Sequence, residues 1–365
     1  MRKFTQPLAC GVFWLLSLLP LALFTNDGSW PLARDLKLHA RAPFPSRFTM
    51  GIFGGALDRW FIDRIGLRLP LVATGAAINV GLLQRSTDRR VLIGRDGWLF
   101  YTDDRSRPAT MADFRGTLRF TESELRATER NLLAMRDSLA ACGVRSLVIV
   151  APNKQSIYGE YLNNSGARPI TRLDDLLSRL NASTRDMILD LRVPLLAAKA
   201  AEPSLPLYFK TDSHWNDLGA FYAYRAVITS LSQSMPVGDL TLASSEQYVI
   251  DMKPFDDGDI ALYMLSAPGW FQDVQVLLRR KTASVGSHAN LGGQMLMVGD
   301  SFSVRLRRYF EQNFSMFRGV AFDDLSVRSF RVEEPQPSVV VFEIVERYLT
   351  DMAEWDFDWQ QFCPH

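Results

Sequence analysis

The sequence predicts an α/β protein, a three-layer sandwich in which a mainly parallel β-sheet lies between layers of helices. Three observations carry this. Arg145–Ala151 is a continuous apolar run of the kind found in a strand covered on both faces. The pattern returns at Gln294–Val298 and again at Ser338–Phe342. Each run stands beside a segment with helical spacing, and such alternation implies parallel strands joined by helices.

Taken in order, the chain opens on Arg2 and Lys3 and then carries no charge until Asp27. Within that gap the 17 residues Leu8–Phe24 are apolar, near the lower limit for a spanning helix. They read as an export signal or short membrane anchor, and with no clean small-x-small cleavage site an uncleaved anchor is preferred. A buried core helix is the alternative. Residues 1–25 are therefore assigned to the anchor. Thr25–Phe48, with Gly28, Pro31, Pro43 and Pro45, reads as a linker, and Ala56–Leu83 as helical, so residues 26–90 form a linker and helical segment.

The body is expected to span residues 91–365. Val91–Tyr101 holds two β-prone runs around Asp96-Gly97, a hairpin signal. Thr121-Glu-Ser-Glu124 is a capping box opening a helix whose buried face is marked by Leu125, Leu132 and Leu139, with Gly143 as its stop. Helices are expected from Ser301 to about Phe314 and over Val345–Trp355, and a strand over Leu207–Thr211. In such sheets functional residues collect at the C-terminal ends of strands. Pro152-Asn153-Lys154, Asp212-Ser-His214-Trp215 and Gly299-Asp300-Ser301-Phe302 are assigned to such ends.

Composition narrows the function. The 365 residues include 41 basic and 40 acidic side chains, a net charge of +1, with 47% hydrophobic and 22% charged residues. That excludes extended disorder and a polytopic membrane protein, and the lack of a basic block excludes a nucleic-acid binder. There are four histidines, His39, His214, His288 and His365, so a site with several His ligands is not expected. Cys10, Cys142 and Cys363 form no CxxC pair; Cys142 and Cys363 either pair in an oxidising compartment or remain separate thiols.

Ser301 follows an apolar strand, with Gly299 allowing a tight turn, and opens a helix whose N–H groups suit a developing oxyanion. Strand, serine-bearing turn, helix is a general way to present a serine nucleophile, although serine is also a common N-cap. A serine nucleophile needs a base, and the base needs an acceptor that fixes its tautomer. His39 falls in the linker, His288 in a polar loop and His365 at the last position, which leaves His214, with Asp212 two residues before it. The economical assignment is a triad Ser301–His214–Asp212. Asn153 is a candidate oxyanion donor or an ordinary Asx-turn residue. Lys154 is either a nearby donor or a solvated surface lysine, with the latter preferred. Arg305 and Arg308 lie at i+4 and i+7 from Ser301, where they would meet an anionic sugar or simply form a solvated face. Trp98, Trp215 and Trp270 offer surfaces for sugar stacking, with core packing as the default.

Together these motifs resemble the periplasmic polysaccharide O-acetyltransferases of the alginate type, the AlgJ/AlgX-like family with an SGNH-hydrolase-like domain. The matching segments are Val91–Tyr101 (VLIGRDGWLFY), Ala151–Leu162 (APNKQSIYGEYL), Thr211–Ala220 (TDSHWNDLGA), Val298–Phe302 (VGDSF) and Val339–Leu349 (VVVFEIVERYL). They run in order over about 260 residues, and their joint occurrence is far more specific than any one of them.

The resemblance implies a circularly permuted SGNH-like sheet, with the Asp/His block before the Ser block. It places the catalytic Asp and His at Asp212 and His214 and the nucleophile at Ser301. Asn153 would stand in for the oxyanion Asn, although the local motif is Pro-Asn-Lys rather than Gly-x-Asn-Asp. Glu346-Arg347 fits the family pattern without an assigned role. The implied activity is acetyl transfer to hydroxyls of an exopolysaccharide through an acetyl-serine. The protein would act in the periplasm, tethered to the inner membrane. The implied partners are a membrane-bound O-acyltransferase as acetyl donor and other polysaccharide-export components; no metal or cofactor is implied. The chain's end soon after the last matching element leaves no expected carbohydrate-binding module of the AlgX-like branch. Two alternatives stay open: a carbohydrate acetylesterase using the same triad, or a non-catalytic acetyl-relay or scaffold component.

Overall fold

The computed structural model describes residues 44, 56–58, 60, 74–102, 110–162, 169–234, 245–256, 258–265, 267, 270–281, 293–322 and 337–363. The expected anchor Leu8–Phe24, most of the linker, and His39, His288 and His365 lie outside these residues. Among the described residues no helix is long and apolar enough to cross a membrane. The chain divides into two compact units, Met1–Asp88 with Ala261–Phe271, and Arg89–Ile260 with Gln272–His365. In the first, Ala77–Leu82 is a short π-helical segment and the half-exposed ring of Trp270 packs on Gly81.

The second unit is built on a five-stranded, all-parallel sheet of strands β3 (Arg145–Ala151), β4 (Ile188–Asp190), β7 (Gln294–Gly299), β8 (Met316–Ala321) and β9 (Val339–Val345), in the order β4-β3-β9-β7-β8. The central strand β9 is buried along its whole length. Successive residues of a strand point to opposite faces, and the two cores follow that alternation. Ile149, Met297 and Val341 enter one core with Trp215 and Phe221. Val148, Val298 and Phe342 enter the other with Leu132 and Leu139. The layers on the two faces include helices α1 (Glu122–Ala141), α2 (Arg172–Arg179), α3 (Arg192–Ala201) and α4 (Asp217–Ser234).

The predicted capping box of α1 is formed: Thr121 Oγ1 accepts from Glu124 N at 3.2 Å and Thr121 N donates to Glu124 Oε2 at 2.8 Å. Leu125, Leu132 and Leu139 are buried, each stabilising by about 1.5–3 kcal/mol relative to exposure. The hairpin β1 (Val91–Ile93) and β2 (Leu99–Tyr101) turns through Asp96 and Gly97 at φ 55° and 78°. Sequence patterning did not place β4, β8, α3, α4 or the antiparallel pair β5 (Tyr248–Pro254) and β6 (Val274–Arg280).

Three expectations are corrected. Beyond Ser301 there is no long helix but a 3-10 helix, Ser301–Arg305, and one α-helical turn, Arg307–Phe310. The Asp300 carbonyl draws both Ser303 N (3.1 Å) and Ser303 Oγ (2.7 Å) into a three-residue turn. The segment after β9 is also a 3-10 helix, Glu346–Glu354, whose buried residues Glu346, Leu349 and Met352 recur every three positions, the period of that helix. Leu207–Thr211 is not a strand. It forms one side of a closed loop with a single bridge, Tyr208 to Trp215, held by Asn216 N to Leu207 O at 2.9 Å. The Asp212 and His214 motif therefore sits on a loop rather than at the end of a sheet strand.

Candidate active site

Strand β7 delivers Ser301 to the surface through the turn Gly299-Asp300, where Asp300 is the N-cap. Asp300 Oδ1 accepts from Phe302 N at 2.8 Å, and Oδ2 accepts from Val345 N at 2.9 Å, so one carboxylate ties the turn to the central strand. Asp300 N donates to Glu343 Oε2 at 3.1 Å. A Cβ at position 299 would stand 2.8 Å from that same oxygen, which is why a glycine is needed there. Glu343 is fully buried, and burial followed by the Asp300 charge raises its carboxyl well above the usual range.

The Ser301 hydroxyl donates to His214 Nε2 at 2.7 Å, and His214 Nδ1 donates to Asp212 Oδ1 at 2.7 Å. The acceptor role of Nε2 follows from Nδ1 facing a carboxylate. Asp212 Oδ1 also accepts from the backbone N of His214 at 2.8 Å. The two residues thus meet through a local turn, not by sharing one side of a strand. Burial works against the Asp212 charge, but the bonds and charge of His214 prevail and hold its carboxyl below the ordinary value.

Lys154 is not a surface residue. It is 3% exposed, and its Nζ donates to the carbonyls of Phe209 (3.0 Å), Lys210 (3.0 Å) and Asp212 (2.6 Å). Burial lowers its pKa to about 8 against the opposing pull of Asp259, Asp212 and Asp273. It pins the loop that carries the Asp–His pair to the end of β3. A solvated lysine and this pin look alike in sequence; only the three converging carbonyls tell them apart.

Asp259 was not anticipated. Its Oδ2 stands 3.7 Å from His214 Nδ1, and it accepts from Ser213 N at 2.7 Å and Ser213 Oγ at 2.6 Å. It lies 46 residues beyond Ser213, in an Asp/Gly-rich stretch with no local pattern linking it to the motif. Asp212, His214 and Asp259 present donor atoms within 4.8 Å of one another, close enough to consider a metal ion. The donor set does not fit one: Nδ1 is spent on a 2.7 Å hydrogen bond to Asp212, so it offers no lone pair.

Asn153 is 3% exposed at the end of β3, and β9 lies between β3 and the nucleophile strand β7. Its N donates to Glu346 Oε2 at 3.0 Å and its Oδ1 accepts from Arg347 Nη1 at 3.3 Å. The Arg347 guanidinium in turn lies 5.5 Å from the Phe302 ring centroid, linking Asn153 to the residue after Ser301. Glu346 is buried, and desolvation raises its carboxyl to about 7 despite Arg192 Nη1 at 3.6 Å. A glutamate inside or directly after a fully apolar strand run was the readable sign that Glu343 and Glu346 are buried.

The remaining expected substrate contacts are revised. Trp215 is fully buried and its Nε1 donates to Phe302 O at 3.1 Å, so neither ring face is open to a sugar. It instead braces the nucleophile turn. Trp98 is likewise enclosed, stacked on Tyr158 at 4.2 Å and Tyr161 at 4.8 Å. Arg305 and Arg308 both engage Asp217, at 3.3 and 2.7 Å. At about three residues per turn, the fourth residue after Ser301 does not return to its face.

Residues 91–317 match the family model described as SGNH hydrolase-like domain, acetyltransferase AlgX. The chain is 26% identical over 303 residues to a probable alginate O-acetylase AlgJ of Pseudomonas putida, covering 74% of this chain and 73% of the relative. It is 25% identical over 337 residues to that of Pseudomonas syringae pv. tomato, covering 83% and 79%. Among solved structures, Bacillus cereus PatB1 superposes with a TM-score of 0.51 at 14% identity over 72% of this chain and 98% of that one, a likeness of fold.

Proposed function

Since the chain belongs to the SGNH hydrolase-like, AlgX-type acetyltransferase family, we propose that it is an O-acetyltransferase working through an acetyl-Ser301 intermediate on the hydroxyls of an exopolysaccharide. The observation that carries this is the unbroken relay from Ser301 Oγ through His214 to Asp212, with both links at 2.7 Å. Ser301 Oγ attacks the carbonyl carbon of an acetyl donor while its proton passes to His214 Nε2. The donor's alcohol leaves with that proton, and the acetyl group stays on Ser301. A sugar hydroxyl then gives its proton to His214 and attacks the acetyl carbon, and Ser301 recovers the proton as it departs. Asp212 stays ionised and holds the ring. The Ser301 N–H and Asn153 Nδ2 are the proposed oxyanion donors.

The relatives named alginate O-acetylase support an acidic polysaccharide as acceptor. The proposed location is the periplasm, tethered to the inner membrane by Leu8–Phe24, with a membrane-bound O-acyltransferase as donor. The disulfide between Cys142 and Cys363 supports an oxidising compartment.

The test is incubation of the purified full chain with 4-nitrophenyl acetate, with and without an oligosaccharide. Acetylated sugar and a trapped acetyl-Ser301 peptide by mass spectrometry are expected, whereas free acetate alone identifies an acetylesterase. Transfer persisting in Ser301→Ala overturns the reading.

A further inference from the structure

The relay contains one carboxylate more than it needs. The short run Gly258-Asp259-Ile260 crosses the loop 211–214 and contacts it at every residue. Ile260 N donates to Thr211 O at 3.1 Å, and Asp259 N donates to Asp212 Oδ2 at 3.2 Å. Gly258 has no room for a side chain, since a Cβ there would stand 2.5 Å from Thr211 O. The Asp259 carboxylate takes both the N and the Oγ of Ser213, the residue between Asp212 and His214. Its Oδ2 then faces His214 Nδ1 at 3.7 Å, on the same nitrogen as Asp212.

From this geometry we infer that Asp259 is a positioning residue and second counter-charge for His214, sharing with Asp212 the stabilisation of the imidazolium that forms when Ser301 is deprotonated. The inference rests on the relay proposed above, and it concerns how that relay is charged. Asp212 spends Oδ1 on both the ring and the backbone of His214, and Oδ2 on Asp259 N. Its orientation is therefore set partly by the Asp259 backbone, and the ring is bracketed by two acidic groups instead of one. Ser213 Oγ donates to Asp259 at 2.6 Å and lies 3.3 Å from Nδ1, where its lone pair is a longer, second acceptor for the ring proton beside Asp212 and links the ring to the second carboxylate.

The other groups facing this site have fixed partners. Ser301 occupies Nε2. Lys154 is held by three backbone carbonyls, and Asp273 is bonded to Thr211 N and Oγ1 at 2.8 and 2.7 Å. Arg347 lies over the far-reaching ring of Phe302, whose centroid is 4.7 Å from that of His214. Of the acidic groups among these, only Asp212 and Asp259 reach the imidazole. Burial followed by repulsion from Asp212 raises the Asp259 carboxyl above its ordinary value. This is the expected cost of placing two acids on one nitrogen, and it falls as the ring becomes positive.

The test follows the His214 ring by NMR in the full chain, a readout that does not require acetyl transfer. Asp259→Asn keeps the shape and removes the charge, and Asp259→Ala removes the clamp as well. The His214 titration midpoint is expected to fall by about one pH unit in Asp259→Asn, because losing an anion disfavours the charged ring. The rate with 4-nitrophenyl acetate should fall about tenfold in Asp259→Asn through kcat rather than KM, and further in Asp259→Ala. A midpoint that stays within about 0.2 units of the wild type in a folded Asp259→Asn protein overturns the inference. So does a rate loss confined to Asp259→Ala with Asp259→Asn near the wild type, which is what a purely structural clamp would give. Loss of the relay itself reads differently: Ser301→Ala would then keep activity whatever the midpoint does.

Discussion

Lys154 Nζ lies 2.6 Å from the carbonyl oxygen of Asp212, across 58 residues of chain. That contact joins the end of β3 to the loop that holds the base. Lys154→Met should remove the side-chain donor from the Phe209 and Asp212 carbonyls, while Lys210 O keeps its bond from Leu99 N at 2.9 Å, at about 1–3 kcal/mol for such a buried loss. Activity should fall about 100-fold as the Asp212–His214 pair loses its seat. Differential scanning fluorimetry with steady-state kinetics checks both. Lys154→Arg is expected to fail as a rescue, since its planar fork cannot converge on three carbonyls as an ammonium does.

Removing members of the relay should give unequal losses. Ser301→Ala and His214→Ala are expected to lose about 10³-fold or more in kcat with little change in Tm. Asp212→Asn is expected to lose at least about 10²-fold, because an amide no longer dictates the ring's tautomer. Combining Ser301→Ala with His214→Ala should add almost nothing. Near-additive losses would show that the two side chains do not work as one unit.

Asn153→Ala should lower kcat about 10²-fold, the usual effect of deleting one oxyanion donor, with KM nearly unchanged. Arg347→Ala should reproduce part of this loss by freeing the Asn153 amide to rotate. Wild-type kcat in Asn153→Ala would remove Asn153 from the oxyanion hole.

Glu346 predicts a pH dependence of stability. Its carboxyl titrates at about 7 in the folded protein, above the ordinary 4.5. The folded state therefore keeps a proton that the unfolded chain releases. This contribution to stability is fully present below about pH 4.5 and is lost as the pH rises through about 7. Glu346→Gln should gain on the wild type by about 2–3 kcal/mol between pH 5 and pH 8. Urea unfolding at the two pH values measures it, and a parallel dependence in both proteins counts against the assignment.

Cys142 and Cys363 are joined with Cα atoms 5.6 Å apart at a sequence separation of 221. Cutting this cross-link by Cys142→Ser with Cys363→Ser should cost about 2–4 kcal/mol. Thermal melts with and without reductant check it. Reductant should lower the wild-type Tm and leave the double variant unmoved.

The parts of the molecule legible in sequence are those whose signals are local. The long inner strands β3, β7 and β9 announce themselves as apolar runs, and Thr121 with Glu124 announces the start of α1. Ser301 and the pair Asp212–His214 could be found because each sits in a short motif and few histidines compete. The edges of the sheet could not. Ile188–Asp190 is three residues long and Met316–Ala321 carries Arg318 and Gly319, so neither shows a strand's periodicity. The sugar-stacking reading of Trp215 and the surface reading of Lys154 fail for one reason: exposure is a property of the assembled fold. Asp259 was invisible because its partners are non-local and its surroundings have no pattern.

The local turn between Asp212 and His214 has a consequence for how the site comes into being. Base and orienter are bonded within three consecutive residues, whereas the nucleophile lies 87 residues further on and arrives on a different strand. The Asp–His half can close as soon as its own loop closes, but Ser301 gains its acceptor only when β7 has docked beside β9. An incompletely folded chain therefore carries an inert serine. The rate at which a fluorophosphonate probe labels Ser301 becomes a direct clock for the last stage of sheet assembly, and a safeguard against stray acyl chemistry before that stage is built into the connectivity itself.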